Sequence, residues 1–373
     1  MSMTIALVDL VAQHRDLLPE LREATERVLA SGRYILGPEV ATFERDVAAW
    51  LGVEHAIGVS SGSDALVMGL QATGIGRGDE VVTTPLSFFA TVEAILRVGA
   101  TPRFADVDPT TLNLDPGTAA DAITARTRAL LPAHLFGVPA AVEDFHALAQ
   151  ARGLALVDDA AQAFGARLFA TRAPAPRSVA AFSFFPTKPL GGFGDGGLVV
   201  TRDEHLAERC RELRVHGATR PHHHVYVGGN YRLDALQAAL LRVSLPHASR
   251  WRERRAELEA RYREQLADVA EIALSPPPSG SAHSHFTLRV LDGRRDPLAA
   301  HLAEAGIETG IYYPQPLYRQ PALTPLLAET PECPVAERAT MEVLSLPLSA
   351  GLKEADLDYV ATKVRAYFGY HCA

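Results

Sequence analysis

The sequence predicts an α/β protein: a large domain over residues 1–246, with a mainly parallel sheet sandwiched by helices, then a smaller α+β domain over 247–373. Three observations predict it. Between residues 55 and 201, short apolar runs alternate with stretches of helical periodicity, the pattern of a parallel sheet covered on both faces. At 373 residues the chain allows two domains of about 150 residues or more. Hydrophobic residues make up 47% and charged residues 21%, which supplies a real core and excludes a disordered chain.

The elements follow in order. Residues 17–30 have the periodicity of an amphipathic helix, closed by Ser31-Gly32-Arg33. Gly37-Pro38-Glu39 opens a second helix, with proline in a tolerated early position. Strands are predicted at 55–60, 80–84, 101–106, 129–134, 154–158 and 179–184, and a late strand at 196–201. Long helices follow at 233–245 and from 249 to about 266, with the domain boundary between them near residue 246. The run Pro276-Pro277-Pro278 breaks the chain. A strand at 286–291, a helix at 297–305, a polar and aromatic loop, and a terminal helix at 356–368 complete the reading.

Composition excludes several classes. Lys+Arg number 36 against 44 Asp+Glu, a net charge of -8, so the chain does not grip nucleic acid through its overall charge. No apolar run approaches the roughly 18 residues that cross a bilayer, and the first residues do not read as a signal peptide. Cys210, Cys333 and Cys372 are far apart and form no CxxC pair, which argues against a disulfide framework and fits a reducing cytoplasm. His222-His223-His224 lacks converging partners and reads as a polar loop rather than a metal site.

Almost every basic residue is arginine; the only lysines are Lys188, Lys353 and Lys363. A lysine can lose its proton and form a Schiff base, whereas a guanidinium stays charged. Lys188 sits in Ser183-Phe184-Phe185-Pro186-Thr187-Lys188-Pro189-Leu190, followed by five glycines up to Gly197. An apolar strand leading into such a loop would leave the amine partly desolvated, suited to a Schiff base; a flexible surface turn is the plainer reading.

Two other segments carry chemistry. Leu154-Ala155-Leu156-Val157-Asp158-Asp159 is an apolar strand ending in two carboxylates, where open α/β sheets bind ligands. A carboxylate there can hold a protonated pyridine nitrogen, bind Mg²⁺, or cap the next helix. Ser60-Ser61-Gly62-Ser63-Asp64 joins a strand to an apolar helix; it is either an anion site or a helix cap, and it is not a Walker loop.

Together these segments resemble the DegT/StrS family of pyridoxal-phosphate sugar aminotransferases. The resemblance is carried by Gly37-Pro38-Glu39-Val40 with Phe43-Glu44, Ser60 to Leu66, Asp158 to Gly165, Ser183 to Gly197, and Gly229-Asn230-Tyr231-Arg232-Leu233-Asp234-Ala235-Leu236-Gln237. Tyr312-Tyr313-Pro314 and Leu344-Ser345-Leu346-Pro347 extend it over nearly the whole chain. It implies the aspartate-aminotransferase-like fold (fold type I), pyridoxal 5'-phosphate (PLP) as cofactor, and a homodimer whose active sites are shared between subunits. By position, Lys188 would form the Schiff base and shuttle protons, Asp159 would pair with the pyridine nitrogen, and Gln162 would lie near the ring oxygen. Gly62, Ser63 and Ser183 would hold the phosphate, Asn230 would reach it from the other subunit, and Phe88 would stack on the ring, unless it is a core residue. Asp158 stands where the family often has Glu, and Ser63 where it usually has Thr; neither change removes the chemistry.

The resemblance further implies ping-pong transfer of an amino group from glutamate or glutamine to a nucleotide-linked keto sugar. The segments around Arg232, Leu245-Pro246-His247 and Tyr312 look most like members that aminate the sugar at C3. Arg33, Tyr34, His285, Tyr312 and Tyr313 are candidates for the sugar-nucleotide pocket. A keto-cyclitol aminotransferase and a non-catalytic PLP-binding sensor or regulatory protein are the alternatives. A related dehydratase would carry histidine where this chain has Lys188.

Overall fold

A computed structural model describes residues 4–168, 177–275, 279–327 and 329–370. The proline run at 276–278 and Cys372 lie outside the described residues. Seven strands form the central sheet: β1 (His55–Val59), β2 (Glu80–Thr83), β3 (Thr101–Phe104), β4 (Thr127–Leu131), β5 (Ala155–Asp159), β6 (Ser178–Ser183) and β7 (Gly197–Thr201). Their order is β1-β7-β6-β5-β4-β2-β3. Every pairing is parallel except those of β7, which runs antiparallel to both β1 and β6. The predicted strands therefore form, and the boundaries shift by one to three residues.

The inner strands are largely apolar because the sheet is covered on both faces, whereas the edge strand β3 carries Thr101 and Arg103 and is partly exposed. Successive side chains alternate between the two covers. From β5 and β6, Ala155, Val157, Val179 and Ala181 enter the core beneath the helix Gly62–Ala72, with Leu66 and Met68. On the opposite face, Ala180 and Phe182 pack with Phe43, Phe164 and Phe184, while Leu156 joins Val82 and Leu130. Phe182 is fully buried; burying such a side chain stabilises the fold by roughly 1.5–3 kcal/mol.

The helix Ala235–Ser244 packs on the large sheet's core, and the 3-10 turn Leu245–His247 leads into the helix Ala248–Leu266. Leu258, Tyr262 and Leu266 of that helix enter a separate core. It is built on an antiparallel sheet in which Phe286–Val290 pairs with both Ile272–Ala273 and Val343–Leu346. Ile5, near the start of the chain, also belongs to this core and bridges Ile307. A division at residue 246 does not capture that strap. Within the stretch predicted as a polar and aromatic loop, the structure has a helix, Pro334–Glu342, running directly into the strand Val343–Leu346. Among the described residues, no helix is long and apolar enough to cross a membrane.

Candidate active site

All parallel strands point their carboxyl ends toward one edge of the sheet, and the start of β7 lies on the same edge. A cavity of about 480 Å³ opens there, within the range of cofactor sites. Of the residues expected to hold a cofactor, Gly62, Ser63, Phe88, Asp159, Gln162, Ser183 and Lys188 all line it. His285, Tyr312 and Tyr313 line it from the C-terminal unit. Arg33, Tyr34 and Asn230 do not; all three are exposed on the surface of the single chain.

Lys188 is presented by a tight turn. Its backbone N–H donates to the Phe185 carbonyl at 2.8 Å, and the Gly192 N–H donates to the Phe184 carbonyl at 2.7 Å. At Gly191 a Cβ would lie 2.0 Å from the Pro186 carbonyl oxygen, so only glycine fits this turn. Enclosure by protein lowers the Lys188 pKa from its ordinary value, opposed by the nearby Asp159 charge. The free amine is the form able to attack a carbonyl.

Asp159 ends β5 and is buried. Its Oδ1 accepts from the Ala161 N–H at 3.1 Å and its Oδ2 from the Thr91 hydroxyl at 2.6 Å. Gln162 accepts from the Phe136 N–H at 2.7 Å through Oε1, and its Nε2 donates to the Tyr313 hydroxyl at 3.2 Å. The second Nε2 hydrogen remains for an oxygen in the cavity. Burial raises the Tyr313 phenol pKa, so the hydroxyl stays protonated.

The opposite end is an anion cradle. Helix Gly62–Ala72 begins at the cavity, with Ser61 as its cap accepting from the Asp64 N–H. A Cβ on Gly62 would sit 2.6 Å from Ser183 Cβ, so this helix start presses on the end of β6. The first-turn N–H groups lack partners within the helix. Ser183 Oγ accepts from the Phe185 N–H, which leaves its own hydrogen free to donate. The Asp64 carboxylate is turned away to Ser60 and Arg97. An amine, a carboxylate and an anion cradle around one cavity fit the aldehyde, pyridine nitrogen and phosphate of PLP.

Three residues at this edge carried no expected role. His134 lines the cavity three residues beyond β4; its Nδ1 accepts from the Ala140 N–H at 2.9 Å, and its Nε2 lies 3.4 Å from Asp158 Oδ1. Its place just past a strand's carboxyl end was the available signal. Ser87 and Thr91 follow β2 and had no signal of their own.

His285 lines both this cavity and a smaller one of about 290 Å³. Burial, reinforced by the Lys188 and Arg255 charges, pushes its pKa down from 6.5 to about 3. Between those values the unfolded chain binds a proton that the folded chain does not. Stability therefore rises with pH across that window and is lost as pH falls below 6.5. We expect His285→Gln to flatten this slope, read as the denaturant midpoint of wild type and variant between about pH 4 and 6; parallel slopes would contradict it.

The model of the DegT/DnrJ/EryC1/StrS aminotransferase family matches residues 16–365. The chain is 43% identical over 365 residues to the dTDP-3-amino-3,4,6-trideoxy-alpha-D-glucose transaminase of Streptomyces venezuelae, covering 97% of this chain and 96% of that one. It is 42% identical over 368 residues to a protein of Geobacillus stearothermophilus named pleiotropic regulatory protein, covering 98% and 99%. The crystal structure of DesV from S. venezuelae superposes with a TM-score of 0.94 at 43% identity, covering 99% of each chain.

Proposed function

The chain belongs to the DegT/DnrJ/EryC1/StrS aminotransferase family and is a PLP-dependent aminotransferase, and from that premise we propose that it moves an amino group from glutamate or glutamine to C3 of a nucleotide-linked keto sugar. The observation that carries this reading is the meeting of Lys188 and Asp159 on the wall of one cavity. When bound, PLP draws the electron pair of the donor's α-carbon into its ring and stores the amine between two half-reactions.

The residues of the chain do the rest. Lys188 Nζ would hold the cofactor through its aldehyde, take the proton from the donor's α-carbon and pass it to the cofactor carbon that bore the aldehyde; in the second half-reaction it would deliver a proton to the acceptor's ketone carbon, acting as base and acid in turn. Asp159 would balance the ring nitrogen's positive charge. Gln162 would donate to the ring oxygen, Gly62, Ser63 and Ser183 would bind the phosphate, and Phe88 would cover the ring. Release of one product before the second substrate enters gives ping-pong kinetics.

The reading places Asn230, Arg33 and Tyr34 at the site of a second copy. An exposed apolar residue supports such pairing. Phe185, at the cavity wall and without an assigned cofactor role, is 50% exposed. The C3 assignment is supported by the relative named for a 3-amino sugar.

The test is a panel of nucleotide-linked 3-keto and 4-keto sugars and keto-cyclitols, incubated with holoprotein and glutamate, with 2-oxoglutarate as the readout. The 3-keto sugars are expected to be favoured by about tenfold or more. A preference for a 4-keto sugar or a cyclitol would overturn the assignment.

A further inference from the structure

Asp159 is held by more than its own strand. Thr91 lies in the first turn of the helix Ala90–Arg97, 68 residues away in sequence, and is wholly buried. Its hydroxyl is 2.6 Å from Asp159 Oδ2 and 2.7 Å from the hydroxyl of Ser87. A carboxylate has no hydrogen to give, so Thr91 donates to Asp159. That uses the single hydrogen of Thr91, and Ser87 must therefore donate to Thr91. The direction of the chain is fixed: Ser87 to Thr91 to Asp159. The other carboxylate oxygen accepts from the Ala161 N–H. Two donors, one on each oxygen, hold both side-chain torsions.

We propose that Thr91 is a positioning residue of this site: its hydroxyl, itself held by Ser87, fixes the orientation in which Asp159 meets the cofactor's ring nitrogen. This rests on the reading of Asp159 as that partner. Without the Thr91 hydroxyl, the carboxylate loses one of its two donors and turns away from the ring. A hydrogen bond to a charged group is worth about 1.5–3 kcal/mol, or at least about tenfold in binding. Ser87 borders the cavity, so the relay also joins the cavity wall to the carboxylate.

The test measures PLP affinity by absorbance titration of the full-length protein, stripped and reloaded, together with kcat and KM for the amino donor. Thr91→Val keeps the shape and removes the donor. It is expected to weaken PLP binding by about tenfold and to lower kcat with little change in KM. Thr91→Ser, which restores the hydroxyl, is expected to recover to within about threefold of wild type. In an Asp159→Asn background, Thr91→Val is expected to add less than about twofold, because the two act as one unit. Ser87→Ala leaves Thr91 in place but unheld and is expected to weaken binding by about threefold; it decides the matter if Thr91→Val does not fold.

Wild-type affinity in Thr91→Val, or in Ser87→Ala where that variant decides, overturns the proposal. So does a full tenfold loss that persists in the Asp159→Asn background. Wild-type affinity in Asp159→Asn alone instead overturns the reading of Asp159, and the proposal with it.

Discussion

Replacing Lys188 by arginine is expected to abolish amino transfer while the chain still folds. Arginine is of similar length, but its guanidinium stays protonated and has no lone pair to form a Schiff base or carry a proton. Positioned proton transfer alone contributes about 10²–10⁴-fold, so a loss of about 10³-fold or more is expected. Burial in the lysine turn already lowers the amine's pKa, and the variant would place a permanent charge there. The measurement is single-turnover conversion of the reloaded protein, with circular dichroism for the fold and borohydride reduction for covalent attachment. Full activity in this variant would remove the lysine from the mechanism.

The second large effect is expected from Asp159→Asn. Asparagine keeps the shape and the contact with the Ala161 N–H but loses the negative charge that balances a protonated ring nitrogen. Charge-assisted hydrogen bonds are about twice as strong as neutral ones, and a preorganised charge contributes to the transition state as well as to binding. A rate loss of about 10²-fold, with weaker cofactor binding, is expected. Turnover at the wild-type rate would mean that the ring nitrogen is neutral or held elsewhere.

The sequence carried the sheet well because its strands are buried on both faces. Runs such as Ala155-Leu156-Val157 have no other home than a covered strand. The direction of β7 follows from its connection: only the short lysine loop separates it from β6, with no crossover helix, and such a link suits an antiparallel neighbour. The C-terminal strand Val343–Leu346 was missed for a local reason. It has four residues and follows the helix Pro334–Glu342 with no glycine or proline between them to mark the change. The ribbon of Ala218–Arg220 and His223–His224 was missed because, Ala218 apart, its residues are polar and exposed, without alternation.

The site divides in the same way. The structure brings the candidates Lys188, Asp159 and Gly62 to one cavity; they stood out in the sequence because few residue types can supply a Schiff-base amine, a strand-end carboxylate or a position without a Cβ. Thr91 and Ser87 were not, since a hydroxyl acquires meaning only from what it meets. Thr91 meets Asp159 through the pairing of β2 with β4 and β4 with β5. His134 needed the same sheet to bring it beside Asp158.

The antiparallel course of β7 has a mechanical outcome. Because β6 and β7 are neighbours, the segment carrying Lys188 leaves and re-enters the sheet side by side, and the Phe184 N–H is tied to the Gly196 carbonyl across its base at 2.8 Å. The lysine loop is thereby anchored to the sheet at both of its ends. On the proposed reading, the part that swings between the two substrates is the methylene stem of one side chain, mounted on a fixed post.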